Sequence, residues 1–133
     1  MAFNNWGDDE AEVKEYDFDT SIRAIAHPLR RQILMWLKAP QLHFPDQQYG
    51  QELGVCVGQI TQRCNLSKST VSAHLNALRS GGLVELHKVG TVHFYRRNED
   101  KIQRFCTAFK LLGNCTPPDH SFAFDLTSRS HRI

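Results

Sequence analysis

Residues Ser67–Leu83 read SKSTVSAHLNALRSGGL. Ser67 is a good helix N-cap, because a short hydroxyl side chain can accept from an amide of the first turn. The helix it opens is expected to run from Lys68 to about Ser80. Gly81 or Gly82 then supplies a left-handed C-terminal cap. With Val71 at zero and about 100° per residue, Leu75 and Leu78 fall within about 40° of it and define a buried stripe. Ser69, Ala73 and Asn76 fall within about 40° of the opposite side, and Ser72 lies on one flank. A face that only had to stay dissolved would use Glu and Lys, which are better helix formers than Ser, Thr or Asn. Small hydroxyl and amide groups suit a face that enters a major groove, where they bond base edges and phosphates without steric conflict. No acidic residue occurs in the stretch, as contact with phosphate requires. His74 lies about 60° from Val71, beside the apolar stripe, and reads as a partly buried packing histidine.

Working outward, a short helix from about Val55 or Cys56 to Arg63 precedes the stretch, with Val57 and Ile60 inward and Cys64–Leu66 as the turn. After it, LVELHKV, Gly90 and TVHFYRR read as a β-hairpin. Lys88 near its tip, and Arg96 and Arg97 at its end, are placed to meet phosphates or the adjacent minor groove. A helix–turn–helix followed by a two-stranded wing is a DNA-reading arrangement. Upstream, Asp19 can cap a helix TSIRAIAH, Pro28 opens PLRRQILMWLK with Leu29, Ile33 and Trp36 at helical spacing, and Pro40 ends it. Residues 41–54 show no period and read as a long loop, a lid over the core or a pocket wall built from His43, Phe44 and Tyr49. Downstream, Asn98 can cap a last helix with the stripe Ile102, Phe105, Cys106, Phe109 and Leu112, which Gly113 stops. The expected fold is mainly α with a small β-hairpin, a winged helix–turn–helix. An acidic arm (1–18) precedes the DNA-binding and dimerisation domain (19–113), and a mobile tail (114–133) follows.

The 133 residues suffice for one domain with a modest core. The net charge of +2 hides an asymmetry: residues 1–20 carry seven acids and one lysine, whereas residues 63–104 carry eight Lys/Arg and three acids. A basic middle suggests a polyanionic partner. No apolar run is long enough to cross a bilayer, and the acidic N-terminus has no apolar segment typical of a secretory signal, so a cytoplasmic location without membrane contact is expected. There, Cys56, Cys64, Cys106 and Cys115 are not expected to form a disulfide framework. No Gly-rich phosphate loop, H-E-x-x-H or G-x-S-x-G occurs, so an enzyme is not expected.

The segments AIAHPLRRQILMWL and VCVGQITQRCNLSKSTVSAHLNALRSGGLVELHKVGTVHFYRR resemble the ArsR/SmtB family of winged-helix repressors, over about residues 20–112. The resemblance implies a homodimer that binds a palindromic double-stranded operator and represses until an effector releases it. Lys68, Ser69, Thr70, Ser72, Ala73, Asn76, Lys88 and Arg96 would then meet DNA. The first and last helices would form the dimer interface through Ile22, Ile102, Phe105, Phe109 and Leu112.

The sequence departs from the family at the effector site. Metal-sensing members carry C-x-C before the recognition helix; here GVCVGQI keeps Cys56 but has Gly58 at the second position. Soft-metal sites need two to four ligands, and the last helix has no histidine. No cofactor is therefore implied with certainty, a metal or metalloid ion being one option; His87 and His93 facing each other across the wing would be a further pair. Another option is a thiol switch using Cys56 at a helix N-terminus with Cys106 or Cys115. The competing reading for the whole chain is a winged-helix module for protein contacts without sequence-specific DNA binding.

Overall fold

The computed structural model describes residues 17–113. Helix α1 (Phe18–Ile25) is capped by Asp17, not by Asp19 as expected. Asp17 lies three residues before Thr20, the spacing that lets its carboxylate accept from the Thr20 amide at 3.3 Å and from the Thr20 hydroxyl. These bonds, the hydroxyl's first, hold the Asp17 carboxyl below the usual carboxylate range. Helix α2 (Pro28–Lys38) opens on His27, whose Nδ1 accepts from the Leu29 amide at 3.0 Å. The helix stops before Pro40, which starts the single turn α3 (Pro40–His43).

Residues 41–54, expected as a loop, thus begin inside a helical turn. After α3 the chain tucks Phe44 into the core, 6% exposed, and makes one 3-10 turn at Gln51–Leu53. Gly50, at φ +77°, lies directly over the Phe94 ring, where a side chain would clash. Tyr49 meets the edge of that ring at 6.2 Å between centroids. The segment is a lid on one face of the sheet.

Strand β1 (Val55–Cys56) precedes helix α4 (Val57–Cys64). The sequence reading began the helix at Val55 or Cys56, but these residues pair antiparallel with β3 (Val92–Arg97), Val55 opposite Tyr95 and Cys56 opposite Phe94. Helix α5 (Lys68–Ser80) follows, then β2 (Val84–Val89). The sheet order is β1-β3-β2, so the wing is three-stranded at its base. Because β3 is central, both Phe94 and Tyr95 are buried although they point to opposite faces. The β2–β3 turn is Gly90–Thr91, with Gly90 at φ +62°. The register sets His87 opposite Phe94 and Lys88 opposite His93. His87 and His93 therefore lie on opposite faces and do not form the facing pair considered above.

Helix α6 (Glu99–Gly113) is capped by Asn98, whose Oδ1 accepts from the Lys101 amide at 3.0 Å. The described chain divides into a body ending at Ile102 and the stretch from Gln103 onward. Most of the N-terminal arm, and the whole C-terminal tail with Cys115, lie outside the described residues. Among the described residues no helix is long and apolar enough to cross a membrane.

The core of the body is built on Ile33, Ile60, Val71, Leu75 and Leu78, each with no exposed surface. Its tightest joint is at the end of α5. The Leu83 amide reaches back to the Leu78 carbonyl at 3.0 Å and the Gly82 amide to Arg79 at 2.9 Å, with Gly82 at φ +79°. This is a Schellman closure, with Leu78 and Leu83 as its apolar contact. Gly81 serves a different need: a β-carbon there would stand 2.7 Å from the Ala24 β-carbon on α1. The Ser21 hydroxyl donates to the Gly81 carbonyl at 2.7 Å in the same buried joint. Gly81→Ala should cost about 1–3 kcal/mol through overpacking, read as a lower urea midpoint with an unchanged slope.

Candidate nucleic-acid interface

The N-terminus of α5 is fixed by its cap. Ser67 Oγ accepts from the Thr70 amide at 3.2 Å and lies 2.9 Å from Thr70 Oγ1, to which it donates. The Ser69 hydroxyl is 3.3 Å away. The turn before it is set by Asn65 at φ +58°, whose amide donates to the Thr61 carbonyl at 3.0 Å. Cys64, expected in the turn, is the last residue of α4, and burial pushes its thiol up, which keeps it protonated.

Val71, Leu75 and Leu78 are wholly buried, and Lys68, Ser69, Thr70, Ala73 and Asn76 are exposed. Ser72 is half-buried on the flank. The structure thus brings the residues expected to read DNA onto one open face, bordered by Lys68 and Arg79. It carries no carboxylate of its own helix, so nothing on α5 opposes the approach of a phosphate.

The wing distributes its cations less evenly. Lys88 is exposed near the tip. Arg96 stands directly opposite Glu85 and bonds its carboxylate through Nε at 3.0 Å, so its charge is shared with an acid. Arg97 is a structural clamp. It donates to the Leu34 carbonyl on α2 at 3.1 Å and to both oxygens of Glu99. The phosphate role expected of Arg97 from its place at the hairpin's end is thus taken up by contacts within the protein.

The lid is locked to β1 by Gln47, a buried side chain with every polar atom used. Its Nε2 donates to the carbonyls of Tyr49 and Gly54 at 3.0 and 2.9 Å, and its Oε1 accepts from the Cys56 amide at 2.8 Å. Periodicity could not reveal this residue, since its partners are backbone groups of an irregular segment. Cys56 is half-buried at the mouth of a cleft of about 300 Å³ shared with Asp46, Tyr49 and Gln59. Next to it, the Arg63 guanidinium lies over the Trp36 ring at 4.8 Å. Cys106 is exposed on α6. Among the described residues no three His, Cys, Asp or Glu side chains come together as metal ligands.

Of the expected dimer residues, Ile22, Ile102 and Phe105 are half-buried, while Phe109 and Leu112 are 53% and 68% exposed. The rings of Phe105 and Phe109 stack at 5.9 Å.

Residues 54–85, from the end of the lid to the start of β2, match the model of the bacterial regulatory protein arsR family. The HTH-type transcriptional regulator YbzH of Bacillus subtilis is 36% identical over 90 residues, 66% of this chain and 90% of the relative. The transcriptional repressor SdpR of the same organism is 30% identical over 81 residues, 61% of this chain and 76% of the relative. Among solved structures, the homodimeric winged helix–turn–helix DNA-binding domain of a possible ArsR-family regulator from Mycobacterium bovis superposes with a TM-score of 0.50 at 27% identity. It covers 90% of this chain and 97% of the other. Gln47→Leu should remove three bonds and cost about 1–3 kcal/mol. Hydrogen exchange should then show faster exchange at the Cys56 amide than in the wild type.

Proposed function

This chain belongs to the ArsR family of bacterial regulatory proteins, and on that premise we propose that it is a homodimeric repressor reading a palindromic operator. That it is a transcriptional regulator with a winged helix–turn–helix DNA-binding fold, and not an enzyme, follows from the family and its relatives. The repressor role is supported by the similarity to SdpR, and the homodimer by the similarity to the mycobacterial domain.

The observation that carries the reading is the two-sidedness of α5. One side is wholly buried, and the other presents Lys68, Ser69, Thr70, Ala73 and Asn76 bare to solvent. In the proposed complex Ser69, Ser72, Ala73 and Asn76 face base edges, while Lys68, Thr70, Lys88 and Arg96 lie along the phosphates. The dimer is held by α1 through Ile22 and by α6 through Ile102, Phe105, Phe109 and Leu112. The exposed apolar side chains of α6 would be a liability in a lone monomer. Two copies related by a twofold axis present two reading helices to half-sites about one helical turn apart.

The effector proposed is a thiol-reactive oxidant acting at Cys56. Peroxide would convert the thiolate to a sulfenic acid and be reduced to water. The added polar oxygen at the mouth of the lid cleft would disturb the start of α4 and, through the turn, α5. Cys106 and, outside the described residues, Cys115 are the other reactive candidates. A metal or metalloid effector would need ligands beyond those the described residues bring together.

Ser69→Ala and Ser72→Ala should each weaken operator binding several-fold while leaving random-DNA binding nearly unchanged. Lys88→Ala should weaken both and reduce the salt slope by about 1. Equal losses on both DNAs for the serine variants would reject the assigned face and favour a protein-contact module. In a second assay, peroxide should release wild-type protein from the operator and leave Cys56→Ser bound; release of Cys56→Ser but not Cys106→Ser would move the switch to α6.

A further inference from the structure

We propose that Arg30 and His74 position the recognition helix through a hydrogen bond that holds only while the His74 imidazole is neutral, so that mild acid loosens the helix and releases DNA. The inference rests on the operator-binding reading above and concerns its regulation.

His74 lies on the flank of α5, half-buried, between the reading face and the core. Its Nδ1 accepts from Arg30 Nε at 3.1 Å, joining α5 to α2. Arg30 in turn donates through NH1 to the Arg23 carbonyl at 3.3 Å, which ties the same guanidinium to α1. The His27 ring lies 4.5 Å from the His74 ring, and its own Nδ1 accepts from the Leu29 amide as the cap of α2. The His74 Nδ1 is an acceptor here, so the neutral ring carries its proton on Nε2. A second proton on His74 would remove the lone pair that Arg30 uses and set an imidazolium against a guanidinium.

The groups acting on His74 all disfavour its charged form. Burial lowers its pKa most, followed by repulsion from His27 across the α1–α2 junction and from Arg30 on α2. The folded pKa is therefore below the unfolded value of about 6.5. The stability tied to neutral His74 is complete above that value and is lost as pH falls from it through the folded pKa. The Gly81 joint grips α5 at its C-terminal end, and the Arg30–His74 bond holds its flank. Its loss leaves the helix able to roll, with Ser69, Ala73 and Asn76 no longer aimed along one line.

The expected sign is unusual. Acidification adds positive charge and by itself strengthens binding to a polyanion. Anisotropy of a labelled operator at constant ionic strength should instead show wild-type affinity falling about tenfold from pH 7.5 to 5.5, within the range of allosteric couplings. His74→Gln offers an amide oxygen to Arg30 but does not titrate. It should bind as wild type at pH 7.5 and lose most of the pH dependence. Arg30→Met removes the donor and should bind weakly at both pH values. Urea unfolding of the free proteins should show a larger stability loss on acidification for wild type than for His74→Gln. The proposal is overturned if wild type and His74→Gln respond alike to pH in both measurements, or if affinity rises as pH falls. If folded wild type binds no operator at pH 7.5, the repressor reading fails instead, and the unfolding comparison alone judges the contact.

Discussion

The bare face of α5 exists because its opposite side is completely out of water. Val71, Leu75 and Leu78 have no exposed surface, and burial of three such side chains contributes several kcal/mol, about 1.5–3 each. That gain is what lets the helix tolerate Ser69, Thr70, Ser72 and Asn76, whose low helix propensity costs a few tenths of a kcal/mol or more per residue. The core thus permits a surface chosen for size and hydrogen bonding and not for helix formation. Any change that weakens the stripe acts on the proposed reading face even though it touches none of it.

Burial alone fixes depth, not direction. Direction comes from contacts at two points: the Gly81–Ser21–Ala24 joint at the C-terminus and Arg30 on the flank. Both lead to α1, because Arg30 also holds the Arg23 carbonyl. In the proposed dimer α1 is an interface helix, so the spacing of the two reading helices is transmitted through these joints. A glycine at position 81 is then part of the DNA-reading geometry as well as of the packing, since it sets how closely α1 and α5 approach.

Much of this was legible in the sequence, and the limits follow a physical pattern. The stretch Ser67–Leu83 was readable because its information is local: a cap hydroxyl, a 3.6-residue stripe, and two glycines where a helix must end. The family resemblance, which extends over about residues 20–112, is most specific in the same residues. What the sequence did not reveal was set by partners distant along the chain. Val55–Cys56 is a strand only because β3 lies beside it, and two residues carry no period of their own. Asp17 and Asp19 are equally good caps by type, and only the Thr20 spacing separates them. The lid was read as a loop because Gly50 and Gln47 act through an aromatic ring and backbone groups that no pattern announces. Whether His87 and His93 face each other could not be read because register depends on the length of the turn, and a shift of one residue moves a side chain to the other face.

The wing shows how the electrostatics must be divided. Of its cations, Arg97 is committed to Leu34 and Glu99, and Arg96 is half-neutralised by Glu85. Lys88 is the wing cation with no ion pair among the described residues. Lys68 and Lys88, with an Arg96 shared with Glu85, give a modest salt dependence per protomer, and small hydroxyls on α5 supply individually modest bonds of about 1 kcal/mol. Neither term is large enough to hold one protomer firmly on DNA. Doubling both through a symmetric pair makes the second contact intramolecular, which raises affinity without new chemistry. The exposed Phe109 and Leu112 of α6 are therefore as much a part of the proposed DNA-binding apparatus as the serines of α5: without the pairing they would provide, the reading face has the right shape and too little energy.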